Sequence, residues 1–122
     1  MKLLVTSDLH YNLQQFDWLL RIAERYDYVI IAGDLLNVAG YLELELQIPV
    51  VAEYLQSLSQ RTQVIVCSGN HDGDTKTTKG EYTAAWLQGI RSDTLFVDCQ
   101  SVQAKGVLFS VCPWWDGPHS RK

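Results

Sequence analysis

The sequence predicts an α/β fold, a parallel or mixed sheet with flanking helices. Three short apolar runs point to it, at residues 2–7 ("KLLVTS"), 28–33 ("YVIIAG") and 63–69 ("QVIVCSG"). Each ends in polar loop residues, and segments of helical periodicity separate them. A strand–helix–strand–helix–strand order places a crossover between successive strands, and such crossovers make the strands parallel.

Residues 2–7 are apolar and stop at Ser7-Asp8, which reads as a first strand and its exit loop. Asn12 is a suitable N-cap for the helix that follows, because its side chain can accept from an unpaired amide of the first turn. Leu13, Phe16, Leu19 or Leu20, Ala23 and Tyr26 recur at helical spacing and form its buried face. Residues 28–33 form a second buried strand and 34–40 a loop. Residues from about 42 to 60 read as a second helix with Val51, Leu55 and Leu58 on one face. Pro49 is expected to kink this helix or to mark its true start, since proline has no amide hydrogen to donate. The third strand follows, and then a long polar loop, "DGDTKTTKG". Residues 81–90 are expected to be helical. "TLFVD", "SVQA" and "VLFSVC" read as short strands, the last two joined through Lys105-Gly106 as a hairpin. The tail from Pro113 reads as loop.

The chain has 122 residues, which suits one domain, expected to span 1–122. Hydrophobic residues make up 47% and charged residues 20%, a balance that argues for a packed core rather than disorder. A net charge of −4 argues against an extended nucleic-acid surface, which needs a basic stripe. It leaves open a site in which cations supply the positive charge. No apolar run is long enough to span a membrane. Cys67, Cys99 and Cys112 are odd in number and widely spaced, with no Cys-x-x-Cys. That fits reduced thiols and a cytoplasmic location.

Polar residues gather after the strands. Asp8 and His10 follow the first, Asp34 the second, and Asn70, His71 and Asp72 the third. In an open parallel sheet the carboxyl ends of neighbouring strands lie side by side, so the three loops should converge. Asp8 and His10 are two apart, and in extended backbone their side chains would point the same way. Crowded carboxylates repel one another, and a divalent cation relieves the repulsion. Mixed carboxylate, imidazole and amide donors suit Mn²⁺, Fe or Zn²⁺. A nucleophile reading of "CSGNH" competes, with Cys67 or Ser68 attacking and His71 as base. It is the weaker one: a cysteine phosphatase loop needs Arg six residues after the Cys, and Gly73 stands there. Trp114 and Trp115 are read as packing or lining aromatics, and Glu43 and Glu45 as a helix face.

Asp8-Leu9-His10, Gly33-Asp34 and Gly69-Asn70-His71-Asp72, in that order and each after a strand, resemble the calcineurin-like metallophosphoesterase superfamily. The resemblance implies the N-terminal half of an α-β-β-α sandwich. It also implies hydrolysis of a phosphomonoester or phosphodiester by a hydroxide activated between two divalent ions, about 3.5–4 Å apart. Asp8 and His10 would hold the first ion, Asp34 would bridge both, and Asn70 would bind the second. His71 would act on the substrate's leaving oxygen, and Asp72 would orient His71 through a hydrogen bond. The family's downstream Gly-His and Gly-His-x-His blocks do not occur in this sequence, whose other histidine is His119. The domain is therefore expected to be truncated at its C-terminus, with a sheet face left uncovered through which copies could self-associate. A non-catalytic scaffold of the same fold is the alternative reading.

Overall fold

The carboxyl ends of parallel strands, where the three motifs fall, organise the molecule. The computed structural model describes residues 1–115. Strands β1 (Leu3–Thr6), β2 (Tyr28–Ala32), β3 (Gln63–Cys67) and β6 (Leu95–Phe96) form one sheet in the order β1-β2-β3-β6. Every pairing in it is parallel, with Leu4 opposite Val29 and Val29 opposite Val64. Helices α1 (Leu13–Ile22), α2 (Leu44–Ser59) and α3 (Ala85–Ile90) connect the strands. A single 3₁₀ turn, Ala23–Arg25, ends the first crossover. Two antiparallel ribbons complete the described residues: β4 (Thr75–Lys76) with β5 (Tyr82–Thr83), and β7 (Ser101–Ala104) with β8 (Val107–Ser110).

One face of the sheet makes the core. Val29, Ile31, Val64, Val66 and Leu95 are buried with Phe16, Leu19 and Ala23 of the first crossover and Val51, Leu55 and Leu58 of α2. Full burial of each large aliphatic or Phe side chain contributes about 1.5–3 kcal/mol. Asn12 caps α1 by accepting from the Gln15 amide at 3.3 Å. Asn12→Ala is expected to cost about 1 kcal/mol, read as a lower urea midpoint with an unchanged slope.

The opposite face carries Leu3, Val5, Tyr28, Ile30, Ile65 and Cys67, by the alternation of side chains along paired strands. The β7–β8 hairpin lies over part of it, with the Tyr28 and Phe109 rings 5.5 Å apart. Its turn has Lys105 at φ 48° and Gly106 at φ 82°, the two positive values that suit a two-residue hairpin. Val5 remains 62% exposed and Leu108 64% exposed, so the cover is partial among the described residues.

Several local expectations need correction. Pro49 does not start α2, which runs through it from Leu44. The proline removes one amide, and the helix is held by the packing of Leu44 and Ile48 before it and of Val51, Leu55 and Leu58 after it. The polar loop after Asp72 is not structureless, since β4 lies in it and pairs with β5, whose Tyr82–Thr83 were expected to be helical. Only Leu95–Phe96 of "TLFVD" is strand, and α3 is shorter than 81–90. No helix of the described residues is long and apolar enough to cross a membrane.

Candidate metal centre

Left-handed backbone shapes the site. Asp8 (φ 57°), His10 (φ 44°) and Tyr11 (φ 59°) follow β1 in this conformation, and Gly33 (φ 85°) and Asp34 (φ 58°) follow β2. Each non-glycine residue held there costs on the order of 1 kcal/mol or more. The strain is offset by hydrogen bonds that continue the ladder beyond the strands. The amides of Asp8, His10 and Tyr11 donate to the carbonyls of Gly33 (3.0 Å), Asp34 (2.9 Å) and Leu35 (2.8 Å). Asp8 and His10 therefore meet through two left-handed residues, not through the extended backbone expected from their spacing.

Asp72 is placed differently from its expected role. Its side chain is fully buried. One carboxylate oxygen accepts from the amides of Asp34 and Gly69, both at 2.8 Å. The other accepts from Leu35 (2.8 Å) and Leu36 (3.0 Å). The residue is a clip between the loops after β2 and β3, not a hydrogen-bonding partner of the His71 ring. Its own carbonyl also accepts from the buried Trp86 indole at 2.8 Å, which ties α3 to the same point. Burial pushes its carboxyl up to about 6, and the amide donors pull the other way. Asp72→Asn turns an NH₂ group toward amides that need an acceptor. The expected loss is about 3 kcal/mol, seen as a drop of roughly 10 °C in Tm by calorimetry. An unchanged Tm would remove the clip.

The remaining polar groups converge. His10 Nδ1 lies 3.2 Å from the Leu36 carbonyl, which can only accept, so Nδ1 carries the hydrogen. Nε2 then faces outward with its lone pair, 3.3 Å from Asp8 Oδ1. Two acceptors at that distance call for a proton or a cation between them. The Ser7 hydroxyl, donating at 2.7 Å, is the chief cause that holds the Asp8 carboxyl below its ordinary value. Desolvation opposes this, while His10 and Asp34 add to it. The Asn70 amide, oriented with its nitrogen toward Asp34, donates to both carboxylate oxygens at 3.0 and 3.1 Å. The His71 amide donates to Asp34 Oδ1 at 3.0 Å. Its ring lies 4.7 Å from that of His10.

A metal fits this donor set. One ligand atom each of His10, Asp34 and His71 lies within 4.8 Å of the others. His71 Nδ1 is buried with no hydrogen-bond partner among the described residues. Asp8 and Asn70 stand against the same group. Imidazole, carboxylate and carboxamide donors suit a first-row divalent cation. His119 lies outside the described residues.

Two features were not legible as site features. Gly69 packs so tightly on Asp34 that a Cβ would meet the Asp34 carboxylate and, at 2.5 Å, its backbone nitrogen. In the sequence Gly69 stands only as the first letter of the Gly69-Asn70-His71-Asp72 block, with no role of its own. Trp114, which the sequence left between packing and lining, borders a cleft of about 350 Å³ with Asp8, Asp34 and Asn70. It stands 44 positions from Asn70, and no periodicity spans that distance.

A parallel α/β sheet with a carboxylate–imidazole cluster at its carboxyl edge defines a candidate metal-binding α/β protein. The family model for calcineurin-like phosphoesterases matches residues 1–111, and the chain belongs to that family. No curated protein matches the chain. Family membership supports a phosphoesterase-type function in general and dependence on metal.

Proposed function

We propose that the protein hydrolyses a phosphomonoester or phosphodiester in a metal-dependent reaction at this cluster. The observation that carries the reading is the convergence of Asp8, His10, Asp34, Asn70 and His71 from three loops at the carboxyl edge of the sheet. A scaffold does not need left-handed strain at three of these donors. Asp8 and His10 would hold one ion, Asp34 would be shared, and Asn70 would serve a second. Divalent cations bound there would polarise the phosphoryl oxygens and lower the pKa of the attacking water. Asp34 is oriented for this by the His71 amide, and its loop is fixed by the Asp72 clip. His10 is held in one tautomer by the Leu36 carbonyl, so its Nε2 is ready to donate a lone pair. His71 would deliver a proton to the leaving oxygen. A second reading of the same ring has its own support, since a His71 nitrogen lies in ligand range of His10 and Asp34.

The test is calorimetric titration with Mn²⁺ and Zn²⁺ alongside hydrolysis of p-nitrophenyl phosphate and bis-p-nitrophenyl phosphate. Metal binding with metal-dependent hydrolysis supports the enzyme. Metal binding without hydrolysis of either ester points to the scaffold reading.

A further inference from the structure

Two thiols meet where the open face of the sheet adjoins the metal centre. Cys67 ends β3, and Cys112 follows β8 by two residues. Both line a cavity of about 260 Å³ between that face and the hairpin, together with Ile30, Ile65 and Phe109. Both also line the cleft that holds Asp8, Asp34 and Asn70. Among the described residues no other side chain borders both spaces, so the two cysteines form the partition between them. Neither is in a disulfide, and the metal-dependent reaction uses neither.

The backbone holds the two segments side by side. The Trp114 amide donates to the Ser68 hydroxyl at 3.1 Å, which fastens the residues after Cys112 to the residue after Cys67. Ser68 is itself buried, and its amide donates to the buried Asp98 carboxylate at 2.8 Å. Burial pushes the Cys67 thiol up, the Asp98 carboxylate adds to this, and a thiolate at Cys112 is near enough to add its own repulsion. Cys112 is exposed and lies past the β7–β8 pairing, so its backbone can settle into disulfide geometry without opening a strand pair. Cys99 differs: its amide donates to the Val111 carbonyl at 2.8 Å, but it lines neither space.

We propose that Cys67 and Cys112 are a redox modification site, a thiol pair that a hydroperoxide converts reversibly to a disulfide in the wall of the metal-site cleft. The exposed Cys112 reacts first, because the thiolate is the nucleophile and burial disfavours it at Cys67. Its sulfur attacks one peroxide oxygen, the O–O bond breaks, and a sulfenic acid and one water result. The Cys67 sulfur then attacks the sulfenic sulfur, and the S–O bond breaks to release a second water. The two sulfurs give up two electrons and their two protons, and the peroxide is reduced to two waters. The link ties the end of β3, three residues before Asn70, to the segment after β8. The inference stands apart from the phosphoesterase reading and needs no metal.

The test treats the full chain with hydrogen peroxide and maps its peptides without reduction. A Cys67–Cys112 link is expected, with the intact mass lower by two hydrogens and the change reversed by dithiothreitol. The linked residues are 45 positions apart, so the closed loop is long and Tm should rise by roughly 10 °C. Cys99→Ser should keep both the link and the rise in Tm. Cys67→Ser should stop at the sulfenic acid of Cys112, trapped by dimedone, and Cys112→Ser should form no link within the chain. In the unaltered protein, a Cys99–Cys112 link, a link only between copies, or over-oxidation of Cys112 beside a free Cys67 thiol overturns the inference. So does recovery of all three thiols unreacted after peroxide.

Discussion

Asp34→Asn is expected to lose metal before it loses anything else, and His71→Ala to lose turnover while keeping most of its metal. Asp34 is the acceptor on which the site centres: Asn70 donates to both of its oxygens, and the His71 amide donates to one. Asparagine keeps the shape and removes the charge. Its amide nitrogen would also face the Asn70 and His71 donors. Metal affinity should fall at least about 100-fold, since changes to groups that merely support ligands already cost about 10–100-fold. His71 sits beside the cluster with Nδ1 buried and unpartnered among the described residues. As a proton donor to the leaving oxygen it should contribute about 10²–10⁴-fold to kcat. Metal content by atomic absorption and kcat on p-nitrophenyl phosphate separate the two effects. Equal metal loss in both variants would make His71 a ligand, in line with its place in the same donor group.

Gly69→Ala should unsettle the fold and the site together. The added Cβ would collide with the Asp34 side chain and lie 2.5 Å from the Asp34 backbone nitrogen. A side chain could swing away, but that backbone is pinned: the Asp34 amide donates to Asp72, and the Asp34 carbonyl accepts from His10. The loops must separate, and the Asp72 clip, which also holds the Gly69 amide, opens with them. The expected cost is about 3 kcal/mol or more, a large part of the roughly 5–15 kcal/mol that stabilises a domain. Gly89 in α3 is the matched control, with nothing within 4 Å of an added Cβ. There alanine should stabilise by up to about 1 kcal/mol through helix propensity. Urea denaturation of the two variants checks both signs. A Gly69→Ala protein as stable as the parent would show that the loops are not locked against each other.

The sequence by itself determined the parallel α/β start and the side chains that face each other across its edge. Apolar runs of five or so residues, helical spacing between them and the asparagine before α1 are local signals, and the energies behind them are local too. The rule that parallel strands align their carboxyl ends did the rest, placing Asp8, His10, Asp34, Asn70 and His71 near one another. Only the tertiary structure decided what Asp72 does. A carboxylate next to a histidine reads as its partner in sequence, yet desolvated amides of Asp34, Leu35, Leu36 and Gly69 compete for it and take both oxygens. The left-handed turns at Asp8 and His10 were equally hidden, because their strain is offset by amide bonds to residues about 25 positions away. The same holds for Trp114, whose place at the cleft depends on a hydrogen bond to Ser68 across 46 residues. Contacts of that span have no period along the chain, so they exist for a reader only once the strands have brought their ends together.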